Sequence, residues 1–139
     1  MTVYSRIIGT GSYLPEEILS NYDLEKFVDT THDWIVERTG IYSRHRAVVG
    51  QKTVDLAKNA ALPALEMAGI TAKDLDLIIG TTGTPDCFFP SMAPQLQTAL
   101  GATCPAFDMN AACSGFIYAL TVADQFIKTG YAKTILIVG

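Results

Sequence analysis

Three apolar stretches of strand length, Leu75 to Thr81, Thr103 to Met109 and Lys133 to Val138, are separated by segments with helical periodicity. Parallel strands need a crossover between them, so this alternation specifies βαβ units and a parallel sheet. Leu75 to Thr81 reads as a strand buried on both sides, with helices on both faces. The chain has 139 residues, 49% of them apolar and 17% charged. That suits one well-buried α/β domain better than disorder.

Around those runs, local signals place the other elements. Tyr4 to Tyr13 is predicted to be a strand containing Gly9 and Gly11. Gly9-Thr10-Gly11-Ser12-Tyr13-Leu14 begins like a dinucleotide fingerprint, but Leu14 stands where a glycine is needed and Pro15 ends the run. The glycines are instead expected to permit close backbone packing. Asn21 is the expected N-cap of a helix over Asp23 to Val28. Thr30 and Asp33 stand at capping-box spacing before a helix from Asp33 to Thr39, which Gly40 should stop. Ile41 to Val49 is expected to be extended. Thr53 is expected to cap a helix reaching Ala68, with Pro63 kinking it or ending it early and Gly69 as its stop. Thr71 to Asp74 makes a turn, and Thr82 to Pro90 a loop. Ser91 should cap a helix from Met92 to Leu100, with Pro94 tolerated in its first turn. A last helix runs from Ser114 to about Thr129 and stops at Gly130.

The chemistry concentrates where the second apolar run ends. Phe107 to Leu120 reads as a strand end, a tight turn of small residues and a helix start, with Cys113 in the helix's first turn. Backbone N–H groups at a helix N-terminus favour a thiolate and can receive an oxyanion when that thiolate attacks a carbonyl. Ala111, Ala112, Ser114 and Gly115 leave room for a substrate. The competing reading is a buried structural thiol.

Trp34 and Arg38 are four residues apart and share a helix face. An indole can stack on a purine and a guanidinium can grip a phosphate, so the pair suits the nucleotide end of coenzyme A. The alternative is a half-buried Trp with Arg packed over it. Phe88 and Phe89 sit in the loop before the Met92 helix, as a pocket wall, an interface or core anchors. His45 lies between two arginines and is expected at the surface. Arg38, Arg44, Arg46 and Lys52 lie close in sequence, a cluster that reads most simply as a solvated face.

The formal net charge of -4 argues against nucleic acid as a partner. Three cysteines without a CxxC pair and two histidines argue against zinc. They fit reduced thiols in a cytoplasm. No apolar run approaches the roughly 20 residues that cross a bilayer, and the N-terminus lacks a charged-then-apolar signal pattern.

Ala112-Cys113-Ser114-Gly115-Phe116, preceded by Pro105-Ala106-Phe107-Asp108, closely resembles the active-site segment of β-ketoacyl-acyl carrier protein synthase III. Ile7 to Pro15, Asp33-Trp34-Ile35, Arg38-Thr39-Gly40-Ile41 and Phe89-Pro90-Ser91 are similar to the same family, in its order, from about residue 4 to 139. The resemblance implies a thiolase-like half, a mostly parallel sheet flanked by helices, from an αβαβα layered fold. It implies an acyltransferase that starts fatty-acid chains. Cys113 takes the acyl group, acetyl above all, from acyl-coenzyme A. Trp34, Arg38 and Thr30 contact coenzyme A, and Phe89 crosses a homodimer interface to shape the partner's acyl pocket. Acyl carrier protein is the implied partner; acyl-coenzyme A is a substrate, and no cofactor or metal is implied. The expected setting is cytoplasmic, without membrane or nucleic acid.

The same resemblance implies a His and an Asn, and part of the oxyanion hole, from a C-terminal half. Residues 1–139 match only the N-terminal half, and neither His32 nor His45 falls at the matching position. The expectation is therefore a chain inactive in condensation by itself: a fragment, one partner of a two-chain enzyme, or a truncated product. Two alternatives remain. One is a starter synthase of polyketide, quinolone or 3-hydroxy-3-methylglutaryl-coenzyme A type. The other is a non-catalytic module binding acyl-coenzyme A or a full-length subunit.

Overall fold

The structure, a computed structural model, describes residues 4–139. The chain divides into two compact units. Among the described residues, one comprises residues 4–13 together with Lys52–Gly139; the other comprises Leu14–Gln51.

The larger unit is built on a three-stranded parallel sheet. Its strands are β3 (Leu77–Thr81), β4 (Ala106–Met109) and β5 (Ile135–Val138), in the order β4-β3-β5. Ile78 lies opposite Ala106 and Leu136, and Gly80 opposite Asp108 and Val138. Every residue of β3 is buried, as the run from Leu75 implied. Side chains alternate along a strand, so β3 feeds two cores. Ile78 joins Leu136 and Val138 against α3 (Thr53–Ala68) and α4 (Met92–Leu100), through Ala57, Ala61, Leu65, Met92 and Leu96. Leu77 and Ile79 face α5 (Gly115–Lys128) through Ala119 and Ala123, with Phe107, Phe126 and Ile137 alongside. Burying an isoleucine or leucine this fully contributes about 2 kcal/mol. The layers are thus helix, parallel sheet, helix.

Asp76 ties β5 to the start of β3: its Oδ2 accepts the Lys133 and Thr134 N–H groups at 2.8 and 2.9 Å. Those two bonds hold its carboxyl below the usual carboxylate range.

Several local expectations are corrected. Residues 4–13 join no sheet. A groove of about 500 Å³ lies between residues 5–11 and Ile135–Gly139, which separates the segment from β5. Close packing at the glycines does hold, but against α3: a Cβ on Gly9 would come within 2.2 Å of the Ala64 carbonyl oxygen, and one on Gly11 equally close to that of Ala60. The segment is further held by Ser5 Oγ donating to Asp124 Oδ1 at 2.8 Å and by Thr10 against Met67 Sδ. Pro63 does not end α3 early: Ala57 and Ala61 before it and Leu65 after it bury against one core. The N-cap position of α3 is Lys52 rather than Thr53, and Asp86 accepts the Thr53 and Val54 N–H groups. Ser91 is the N-cap residue of α4 but makes no side-chain cap bond; Asp108 Oδ1 accepts the Ala93 N–H at 2.8 Å instead.

In the smaller unit, β1 (Glu17–Ser20) pairs antiparallel with β2 (Ser43–Arg46). Between them lie the short α1 (Asn21–Leu24) and α2 (His32–Thr39). Ser20, not Asn21, caps α1, in a capping box with Asp23. Asn21 is fully buried: its amide donates to the Ile41 carbonyl at 2.7 Å and accepts from Arg44 at 2.6 Å. Thr31, rather than Thr30, caps α2 through the Trp34 N–H, and Gly40 ends it at φ 69°. Arg44 is thus committed to Asn21 and the Leu19 carbonyl, and Arg46 to Glu17, so half of the basic cluster is already paired.

Candidate active site

The turn from β4 into α5 carries Cys113. After Met109 the chain turns through Ala111, at φ -140° and ψ 34°, and Ala112, at φ 46°. Left-handed backbone at a residue other than glycine is uncommon. Ala112–Ser114 form one 3-10 turn, closed by the Ser114 N–H on the Ala111 carbonyl at 3.0 Å, and α5 follows. Cys113 therefore lies just ahead of α5 rather than inside its first turn. Its side chain is exposed in this chain, unlike that of a buried structural thiol. Ser114, the N-cap of α5, makes no side-chain cap bond. Among the described residues the Cys113 N–H makes no hydrogen bond, and the thiol is exposed.

Three residues hold this turn, and Gly115, expected to leave room for a substrate, is instead buried against β3. Asn110 Oδ1 accepts the Ala112 N–H at 3.3 Å. Gly115 lies against buried Thr81, where a Cβ would meet Thr81 Oγ1 at 2.0 Å. Asp108 crosses to α4, filling the space opposite Gly80. An Asn two residues before a strained position is an Asx-turn signal.

The other candidates are placed as follows. Phe88 and Phe89 are 97% and 89% exposed, so neither anchors a core. Cys87 is exposed and Cys104 buried, and burial pushes the Cys104 thiol up. In the smaller unit, the Arg38 guanidinium lies over the Trp34 ring, 5.4 Å from its centroid, and the indole is 54% exposed. Trp34 lines a small cavity of about 250 Å³ with Asp29, Thr30 and Thr31. Thr30 Oγ1 is buried there without a hydrogen-bond partner. The structure thus gathers Thr30, Trp34 and Arg38 in one unit, and carries Cys113 and Phe89 in the other. His32 stacks on Tyr22 at 4.5 Å, and His45 bonds the Pro15 carbonyl at 2.5 Å. Among the described residues no group of His, Cys, Asp and Glu could hold a metal ion, and no helix is long and apolar enough to cross a membrane.

The family profile for 3-oxoacyl-[acyl-carrier-protein (ACP)] synthase III matches residues 107–139, from β4 through the Cys113 turn to β5. The β-ketoacyl-[acyl-carrier-protein] synthase III of Xanthomonas campestris pv. campestris is 58% identical over 138 residues, 99% of this chain and 42% of the relative. The chain belongs to the β-ketoacyl-acyl carrier protein synthase III family. Crystal structures agree. The 3-oxoacyl-[acyl-carrier-protein] synthase III of Aquifex aeolicus is 51% identical and superposes with a TM-score of 0.91, over 95% of this chain and 43% of that one. The priming β-ketosynthase of the R1128 polyketide pathway is 34% identical with a TM-score of 0.92, over 98% of this chain and 41% of that one. The fold is thiolase-like, its parallel sheet flanked by helices. The chain spans less than half the length of each of these relatives.

Proposed function

We propose that the chain carries the acyl-accepting nucleophile of a condensing enzyme that starts fatty-acid chains. The Cys113 thiolate attacks the thioester carbonyl of acyl-coenzyme A, acetyl-coenzyme A in the first instance. A new carbon–sulfur bond forms as the old one breaks, and the coenzyme A thiolate leaves and takes up a proton. The Cys113 N–H and the start of α5, which has no side-chain cap, are assigned as donors to the developing oxyanion. In the complete enzyme, malonyl-acyl carrier protein loses CO2, its carbanion attacks the Cys113 thioester, and the thiolate is regenerated. The partner groups for that second half are expected in the remainder of a full-length chain; neither His32 nor His45 is assigned to it. Acyl-coenzyme A is substrate, and the transfer as written calls on no further cofactor.

The observation that carries the reading is the exposed Cys113 on a strained turn ahead of α5, inside the profile-matched segment. Trp34, Arg38 and Thr30 are assigned to coenzyme A. Supporting this are an exposed indole under a guanidinium and a buried hydroxyl with no partner. Phe89, almost wholly exposed, is assigned to a homodimer contact beside the acyl pocket. The proposed setting is cytoplasmic.

The test is incubation with acetyl-coenzyme A, denaturation, intact mass and peptide mapping. An acetyl increment on Cys113, lost in Cys113→Ala with coenzyme A binding retained, is expected. Acetylation that persists in that variant overturns the assignment. The likeness to a polyketide-priming ketosynthase favours a second reading, a different starter acyl group; a panel of acyl-coenzyme A donors separates the two. Coenzyme A binding with no acyl transfer from any donor would leave a non-catalytic binding module.

A further inference from the structure

We infer that Asn110 is a positioning residue for Cys113, acting through the backbone of Ala112. This rests on the reading of Cys113 as the nucleophile. The turn hangs between two clamps. At its far end Gly115 is seated on buried Thr81, with no room for a Cβ between them. At its near end, the side-chain contact within the turn is the Asn110 amide oxygen on the Ala112 N–H, at 3.3 Å.

Ala112 needs that contact. At φ 46° it occupies a region that glycine enters freely and alanine rarely does. The bond closes an Asx turn over Ala111 and so fixes the peptide plane from which Ala112 enters its left-handed torsion. With the Ala112 N–H taken by Asn110 and the Ser114 N–H closed on Ala111, the Cys113 N–H between them is left without a hydrogen bond among the described residues. An Ala112 relaxed to ordinary negative φ would swing that N–H and the Cys113 thiol elsewhere. Asn110 is itself exposed and packs into neither core, so its loss removes a constraint on the turn without opening a cavity.

The experiment compares wild type, Asn110→Ala, Ala112→Gly and the double variant Asn110→Ala/Ala112→Gly. The rate of carboxamidomethylation of Cys113 by iodoacetamide at fixed pH is read by peptide mass, with Cys87 as an internal reference. Asn110→Ala is expected to slow Cys113 about fivefold, the population change that losing one neutral hydrogen bond produces. Cys87 should be unaffected. The double variant is expected to return to within about twofold of Ala112→Gly alone, because glycine adopts the left-handed torsion unaided. That rescue is what a general loss of stability would not give. An unchanged Cys113 rate in Asn110→Ala, or a double variant as slow as Asn110→Ala, overturns the inference. Acetyl transfer from acetyl-coenzyme A to the wild type is measured separately. Its absence overturns the nucleophile reading, whereas transfer with an unchanged Asn110→Ala alkylation rate overturns only the role of Asn110.

Discussion

Gly115→Ala sets two effects of known sign against each other. Gly115 has helical torsions, φ -54° and ψ -46°, at the start of α5. Intrinsic propensity alone would favour alanine by about 1 kcal/mol. The new Cβ, however, would lie 2.0 Å from Thr81 Oγ1 and 3.3 Å from Thr81 Cβ. Thr81 is buried at the end of β3, and a β-branched side chain has few χ1 alternatives; turning it brings its methyl towards the same space. Overpacking of this kind costs about 1–3 kcal/mol, and a contact this short belongs in the upper half of that range. The net expectation is a loss of about 1–2 kcal/mol, read as a lower urea midpoint at constant slope by far-ultraviolet circular dichroism. In a Thr81→Ala background the obstruction is gone, and the same substitution should gain about 1 kcal/mol. The reasoning is refuted by a Gly115→Ala protein as stable as wild type with Thr81 intact, because sterics would then not set the approach of α5 to β3.

Asp76→Ala removes the acceptor of two N–H groups at the entry to β5 and should cost about 1–2 kcal/mol in urea unfolding. The Asp76 carboxyl lies below its ordinary value in the folded chain, so its contribution is full above the unfolded carboxylate range and is lost as pH falls through the folded value. The stability difference between wild type and Asp76→Ala should therefore shrink in acid; a difference that stays constant as the pH is lowered from neutral contradicts the charge-based account. On the proposed coenzyme A role, Trp34→Ala weakens binding by about 1–2 kcal/mol in calorimetry, and an unchanged dissociation constant returns the indole to a packing role.

What the sequence conveys, and what it does not, follows the range of each interaction. Glycine stops are local, and Gly40, Gly69, Gly101 and Gly130 all sit at positive φ where the sequence pattern ends its helices. The three apolar runs are equally local, and each contains its strand. The caps of α3 and α4 escape a local reading because their acceptors, Asp86 and Asp108, lie far along the chain. Asn21 has the look of a cap; partners at Ile41 and Arg44 make it a buried bracket. Residues 4–13 carry the composition of a strand, but no composition supplies a neighbouring ladder. At the candidate site, Cys113 is legible from a strand, small residues and a helix start, and Trp34 with Arg38 from their spacing. The unpartnered hydroxyl of Thr30 and the bracing of the turn by Asn110, Thr81 and Gly115 depend on contacts that only the folded chain creates.

The three cysteines offer a final check that the larger unit closes as described. Cys104 belongs to the core shared by α3, α4 and β5, and desolvation raises its thiol above the ordinary value. Cys87 is exposed, with its sulfur 3.2 Å from the Pro90 carbonyl oxygen and 3.3 Å from Gln95 Nε2. Cys113 is exposed with no such neighbours among the described residues. Because the thiolate is the reacting species, a raised thiol reacts more slowly at any pH below its own midpoint, in proportion to its smaller thiolate fraction, and burial slows it again. Alkylation at mildly alkaline pH should therefore modify Cys113 and Cys87 and leave Cys104 intact until urea is added. Raising the pH should accelerate Cys104 last, since burial raises its thiol above the ordinary value. Cys104 labelled as fast as Cys113 without denaturant would mean that α3 and α4 do not stay closed over the sheet. The Cys113 turn, braced by Asp108 against α4, would then lack a fixed floor.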